Sequence, residues 1–279
     1  MRDALTETAL AAPEQPVPEP IVEIPAPPDL PLSKLVSVSA PALALAACGG
    51  GDDAGGPPVG SGPPPPPPPP TITGQQAARF LTQAAMGSTK ADIDRVRSLG
   101  YSGWLDEQFA RPRATSHWDW LQARGYADAA NQNNENGFNN TMWRQLISGD
   151  DQLRQRVGMA LLDILVVSIN GLDTNWRAFA AANYVDVLMD NAFGNYRTLL
   201  ERVSLTTAMG LYLTFLGNRK ANPATGSQPD ENYAREIMQL FSIGLIRLNP
   251  DGTPQNGNPE TYTQDDVSGL ARVFTGFTY

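Results

Sequence analysis

Eight consecutive prolines, Pro63 to Pro70, divide this 279-residue chain into two parts that obey different folding rules. A proline run offers no backbone N–H groups and fixes φ, so it excludes helix and sheet and favours a polyproline II rod. The run closes a wider bias, since 19 of the 25 prolines lie within residues 1–70. Sequence this rich in proline and poor in apolar side chains buries too little surface to offset its ordering entropy. The foldable part is therefore 71–279, long enough for one sizeable core.

The segment before the prolines reads as an export and lipidation signal. Lys34 is followed by 13 uncharged, largely apolar residues, Leu35 to Ala47, and then by Cys48 and three glycines. That stretch is shorter than the ~20 residues that span a bilayer, and it suits a signal-peptide core. Leu45-Ala46-Ala47-Cys48 resembles the bacterial lipobox, where the cysteine is diacylated and becomes the new N-terminus. Lipid chains at Cys48 would anchor the protein to the cell envelope, and Gly49 in place of aspartate directs the expectation to the outer membrane of a Gram-negative cell. Residues 34–48 are thus the signal and 49–70 a tether, ending in a rod of ~25 Å at ~3.1 Å per residue. Residues 1–33 are acidic and proline-rich, expected to be disordered, and sit upstream of the usual start of such a signal. This suggests a true initiation site further along the chain.

Whole-chain counts exclude several classes. One cysteine forbids an internal disulfide and a cysteine metal cage, and the single histidine, His117, forbids multi-histidine zinc motifs. No metal and no cofactor are expected. A formal charge of −9 without any basic run argues against a nucleic-acid partner.

Beyond Pro70 the pattern is helical and predicts an all-α, multi-helix orthogonal bundle. Thr73 with Gln76 and Ser88 or Thr89 with Asp92 read as capping boxes, Gly100 as a stop and Pro112 as the end of a helix opened by Ser102. A short helix is expected over Ser116–Arg124 and a loop over Asn131–Asn140. Another helix runs through Met142 and Ile147. Leu153 to Ile169, capped by Asp150 or Asp151, has the longest apolar stretch and is expected to be the central helix. Further helices fit Trp176–Ala192, Tyr196–Val203 and Thr206–Leu216, and Thr263 with Asp266 caps a last one. Leu245 to Thr261 carries an Asn-Pro-Asp-Gly turn that would join a short β-hairpin. The five tryptophans read as core anchors, with a carbohydrate platform the alternative that no further sequence feature supports.

The sharpest segment is 228–244. Ser227 and Asp230 form a capping-box pattern with Pro229 in the first turn, and Tyr233, Ile237, Leu240 and Phe241 share one face, expected to meet the core. Asn232, Arg235 and Glu236 stand at i, i+3 and i+4, so their side chains are expected to meet over one turn. This segment, PDENYAREIMQLFSIG, and the later YTQDDVSGLARVFTGF resemble the signature of a bacterial family, domain of unknown function 1800. ARFLTQAAMGSTKADIDRVRSLGYSGWLDEQF is similar to the family's opening. LRQRVGMALLDILVVS, GNYRTLLERVSLTTAMGLYL and GNRKA are similar to its middle, so the likeness spans about 76–279. The resemblance implies an exported helical protein without an established activity. Family genes often neighbour those of a secreted, phosphatase-like family, which implies a secreted partner. Members also run well past this chain's end into histidine-containing motifs, which implies that 71–279 is the N-terminal half of a longer domain.

Two readings of the signature stay open. Glu231 and Arg235 at i, i+4 form a favourable helical ion pair, and an Arg–Glu network can lock helices together. Glu236, with Arg235, Asn232 and Glu231, can instead serve as a general base or metal ligand in a hydrolase-like site completed by residues beyond the chain. Arg219 and Lys220 are candidates to face an anionic ligand near this helix. His117 reads as a packing or surface residue. Burial decides between the readings, because a closed lock and an open pocket expose these groups differently.

Overall fold

The computed structural model describes residues 71–278; the 1–33 segment, the signal 34–48 with Cys48, and the tether 49–70 lie outside the described residues. Among the described residues the chain forms ten α-helices and almost no extended structure. Three helix starts rest on reciprocal capping boxes: Thr73–Gln76 before α1 (Gly74–Ala84), Thr89–Asp92 before α2 (Lys90–Ala110), and Thr263–Asp266 before α10 (Gln264–Val273). Each box satisfies two backbone donors that the first turn leaves free. Gly100 divides α2, its φ of 75° breaking the helical path as the sequence pattern expects.

Ser116 caps α3 (His117–Ala123), accepting from the Asp119 N–H. The polar loop ends earlier than expected, at Gly137, and α4 (Phe138–Ser148) follows. Gly137 has φ 85°, and a Cβ there would sit 2.7 Å from Leu121 and Tyr126, so both conformation and packing require glycine.

The expected central helix is corrected. α5 (Gln152–Ile164) stops well before Ile169, and Ile164 and Val166 are exposed. Its last turn gives way at Leu165, which is fully buried and whose carbonyl accepts from the Tyr184 hydroxyl. The centre is instead α6 (Arg177–Asp190), nine of whose 14 residues are buried. It packs on α3, α4, α5, α7 (Tyr196–Ser204) and α8 (Thr207–Tyr212). Ala178, Ala181 and Ala182 give it a slim profile that lets neighbours approach closely. Gly158 of α5 serves the same end, because a Cβ there would lie 2.2 Å from Met189 Sδ. α8 is shorter than its pattern suggests, and Thr214 follows it with a φ of 64°.

The main core joins α6, α7 and α8 to Phe215, Tyr233, Phe241 and Phe274, with Tyr233 stacked 4.4 Å from Phe215. α9 (Asn232–Gln239) and α10 make a second contact through Ala234, Met238, Val267 and Ala271. The hairpin expected over 245–261 is reduced to isolated antiparallel bridges, Ile246 to Glu260 and Leu248 to Pro254. Pro250, Pro254 and Pro259 deny that segment the donors a ladder needs. The tryptophans are only partly core residues: Trp104 is buried, whereas Trp143 is 63% and Trp118 38% exposed.

Candidate functional site

The signature helix does not begin where the capping pattern places it. Ser227 pairs its backbone with Asn222 in a tight turn, and α9 starts five residues later. Asp230 caps it from outside, accepting from the Asn232 N–H at 2.8 Å while also accepting from the Thr214 hydroxyl at 3.0 Å. Tyr233 and Phe241 enter the core as expected, but Leu240 is 60% exposed. Two hydroxyls fix the helix to α7: Tyr233 Oη lies 2.6 Å from Ser204 Oγ, and Tyr196 Oη donates to the Phe241 carbonyl at 2.6 Å.

The four candidate residues at the start of α9 do not converge on one point, although Arg235 and Glu231 pair. Asn232 turns toward Thr214 Oγ1 at 3.4 Å. Arg235 reaches back to Glu231 at 3.1 Å and across to Gln264 Oε1 at 3.1 Å. Glu231 closes the set, accepting from Ser268 Oγ at 2.6 Å and Gln264 Nε2 at 2.8 Å. The bonds from Ser268 and Gln264, and then the charge of Arg235, hold the Glu231 carboxyl below its usual range. These contacts tie α9 to α10. Glu236 stands apart from them, and its Oε2 is buried without a hydrogen-bond partner among the described residues.

Two recesses flank the Arg235–Glu231 pair. One of about 210 Å³ is lined by Glu231, Gln228, Ser268 and Arg272, and one of about 550 Å³ by Arg235, Gln239, Glu260, Tyr262 and Gln264. Neither is lined by Glu236, Arg219 or Lys220. Arg219 and Lys220 are exposed and make no side-chain hydrogen bond to the motif. Among the described residues no group of three or more His, Cys, Asp or Glu side chains is placed to hold a metal ion.

A second polar cluster, which the sequence reading did not find, lies inside the bundle. Asp186 projects from α6 and accepts from the backbone N–H groups of His117 at 2.8 Å and Trp118 at 2.9 Å, capping α3 from another helix. The same carboxylate is paired with Arg113, which also meets Asp190 at 2.5 Å. His117 is fully buried. Its Nδ1 lies 3.2 Å from both Thr141 Oγ1 and Gln145 Nε2, so the amide donates to it and the ring proton sits on Nε2. Burial, followed by the charges of Arg113 and Arg144, pushes the His117 pKa down to about 3. Burial pushes the Asp186 carboxyl up, with Arg113 and the two N–H donors acting against it. Nearby, Asp151 accepts from the Ala114 N–H at 3.2 Å and Gln145 donates to the Thr115 carbonyl at 2.6 Å. Together these bonds clamp the connection from α2 to α3 against α4, α5 and α6. The available signal was Asp186 itself, a lone carboxylate within the apolar run of residues 178–189.

Comparison with known proteins gives one family. Residues 79–279 match the family model described as "Protein of unknown function (DUF1800)". None of the curated proteins and none of the solved structures matches the chain.

Proposed function

We propose, from the premise that this chain belongs to the DUF1800 family, that it is a noncatalytic helical module of the bacterial cell envelope. In this reading it is exported, lipid-anchored at Cys48, held off the membrane by the proline-rich tether 49–70, and works with a secreted partner, the phosphatase-like product of a neighbouring gene. The observation that carries the noncatalytic reading is the closure of the signature on itself. Glu231 is occupied by Arg235, Gln264 and Ser268, so among the described residues this pair offers neither a free base nor a free cation. A reactive centre keeps such groups available and lines a pocket with them. Support for the envelope comes from the order of Lys34, the 13-residue apolar core, Cys48 and the tether.

Metabolic labelling with an alkyne fatty acid tests the anchor. Label should enter the full chain and vanish in Cys48→Ser. A soluble, unlabelled product that retains its leader would sink the reading. Affinity capture of the lipidated protein should then recover the neighbouring gene product from the envelope fraction.

A second reading, a hydrolase-like enzyme using Glu236 with Arg235, keeps one specific support. Among the described residues the Glu236 carboxylate has a buried oxygen without a partner, and the Tyr262 hydroxyl is likewise unpaired. Such orphaned groups are uncommon and need a reason. Hydrolysis of chromogenic esters by the full chain, lost in Glu236→Gln with folding intact, would establish this reading over the first.

A further inference from the structure

Among the described residues a further recess lies away from the signature, along the outer face of α6. It measures about 600 Å³ and is bounded by Trp118 of α3, by Trp176 just before α6, by Phe179 and Asn183 of α6, and by Arg202 and Thr207 where α7 meets α8. Phe179 forms its floor, with Trp118 at 4.8 Å and Trp176 at 6.0 Å, both edge to face. Trp176 holds a left-handed backbone (φ 61°), and its N–H donates to the Gln132 carbonyl at 2.6 Å. Such a conformation costs of order 1–3 kcal/mol in a bulky residue.

The rim is polar and unused. Among the described residues the side chains of Asn175, Asn183 and Arg202 make no hydrogen bond, and Arg202 has no ion-pair partner although it stands at the recess. Among the described residues neither indole N–H has an acceptor, and Trp118 is 38% exposed. The lining runs along α6 from position 176 to 187, about 16 Å at the helical rise. The recess is thus an elongated aromatic trough edged with amides that both donate and accept.

Ligand classes can be compared on those terms. A purely aliphatic ligand would desolvate the two amides and the guanidinium without pairing them. A nucleotide needs a phosphate cradle, and this acidic chain offers one arginine here. An uninterrupted proline run presents carbonyl acceptors only, which gives the amide oxygens no donor. A saccharide fits both requirements: its C–H faces pack on aromatic rings, and its hydroxyls donate to and accept from Asn and Arg side chains. We infer that this trough binds an oligosaccharide, with Trp118 and Trp176 as the stacking surface above the Phe179 floor and Asn183 and Arg202 as orienting groups. The site is separate from the signature helix, and the inference stands whether or not the chain is acylated.

Titration calorimetry of the full chain with chitotetraose, cellotetraose and maltotetraose tests it, alongside a peptide reproducing residues 61–70. At least one tetrasaccharide should bind saturably with a dissociation constant at or below about 1 mM. Trp118→Ala and Asn183→Ala should each weaken that binding at least tenfold. Trp143→Ala, which removes an exposed indole outside the trough, should leave it unchanged. Asn183 is exposed, so its variant keeps the test meaningful should the tryptophan variant lose its fold. Absence of saturable binding by all three sugars would overturn the proposal. So would binding that survives both variants, or saturable binding of the proline peptide in place of the sugars.

Discussion

The molecule holds two arginine–carboxylate clusters that differ in depth and in reach. Arg235 of α9 and Glu231 at its N-terminal cap lie one turn apart, with side chains 41% and 32% exposed. Arg113 and Asp186 come from separate parts of the chain, with side chains 17% and 11% exposed. The first joins a pair of neighbouring helices at the surface. The second caps a helix, fixes a loop and anchors both to the central helix. Similar chemistry therefore carries unequal weight, because water competes for the first pair and is largely excluded from the second. The residues most conspicuous in the sequence are not the ones on which the bundle most depends.

The strongest test of that contrast is Asp186→Ala. It would leave Arg113 with Asp190 alone and strand the N–H groups of His117 and Trp118. Removing one partner of a buried pair typically costs ~3–5 kcal/mol. Urea denaturation should show a loss of that size. A loss below about 1 kcal/mol would reduce the inner cluster to the rank of the outer one.

Acidification should separate the clusters further. The pKa of His117 is about 3 in the fold, against 6.5 for a free histidine. Above about pH 6.5 both folded and unfolded chains hold the ring neutral, and the contribution is complete. As pH falls from there toward 3, only the unfolded chain takes up the proton, so stability declines by up to ~1.4 kcal/mol per pH unit. Asp186 has the opposite sign, since its raised pKa lets the fold keep a proton that the unfolded chain releases. The difference between the wild type and His117→Gln isolates the histidine. The variant's midpoint should depend less on pH between 6 and 4, and equal slopes would contradict the burial of a neutral ring.

Glu236 should give a smaller effect with the opposite direction. Its unpartnered buried oxygen makes Glu236→Met expected to gain up to about 1 kcal/mol in the same urea experiment. A clear loss would mean that the carboxylate has a partner in solution and would remove the support that the catalytic reading takes from an unpaired Glu236.

What was legible in the sequence follows from the range of each interaction. Thr73–Gln76, Thr89–Asp92 and Thr263–Asp266 are three-residue patterns that need no other part of the chain, and all three form as capping boxes. Ser227–Asp230 has a related pattern and fails because a turn claims Ser227 and Thr214 claims Asp230. Asp151 stands at a helix start yet makes no cap there, since its carboxylate serves the distant Ala114 N–H. Apolar count favoured 153–169 over α6, but alanines that permit close packing made α6 the centre. Glu231–Arg235 was visible as an i, i+4 pair, whereas its bonds to Gln264 and Ser268 were not. The aromatic trough was invisible for the same reason, because only the tertiary fold brings Trp118 beside Phe179 and Trp176.

The smallest expected effect belongs to the pair that first draws the eye. Arg235→Ala removes one ion pair and one bond to Gln264, yet Glu231 retains Ser268 and Gln264 as donors. A half-exposed pair of this kind contributes ~0.2–1 kcal/mol, and salt screens it. The variant should therefore unfold within about 1 kcal/mol of the wild type at low salt, and the gap should narrow in 1 M sodium chloride at the ~3 Å screening length expected there. Glu231→Ala should cost more than Arg235→Ala, because it frees three donors at once and loosens α9 from α10. If the two variants fall in the reverse order, the arginine has a partner beyond Glu231 and Gln264, and the signature helix is more than a surface lock.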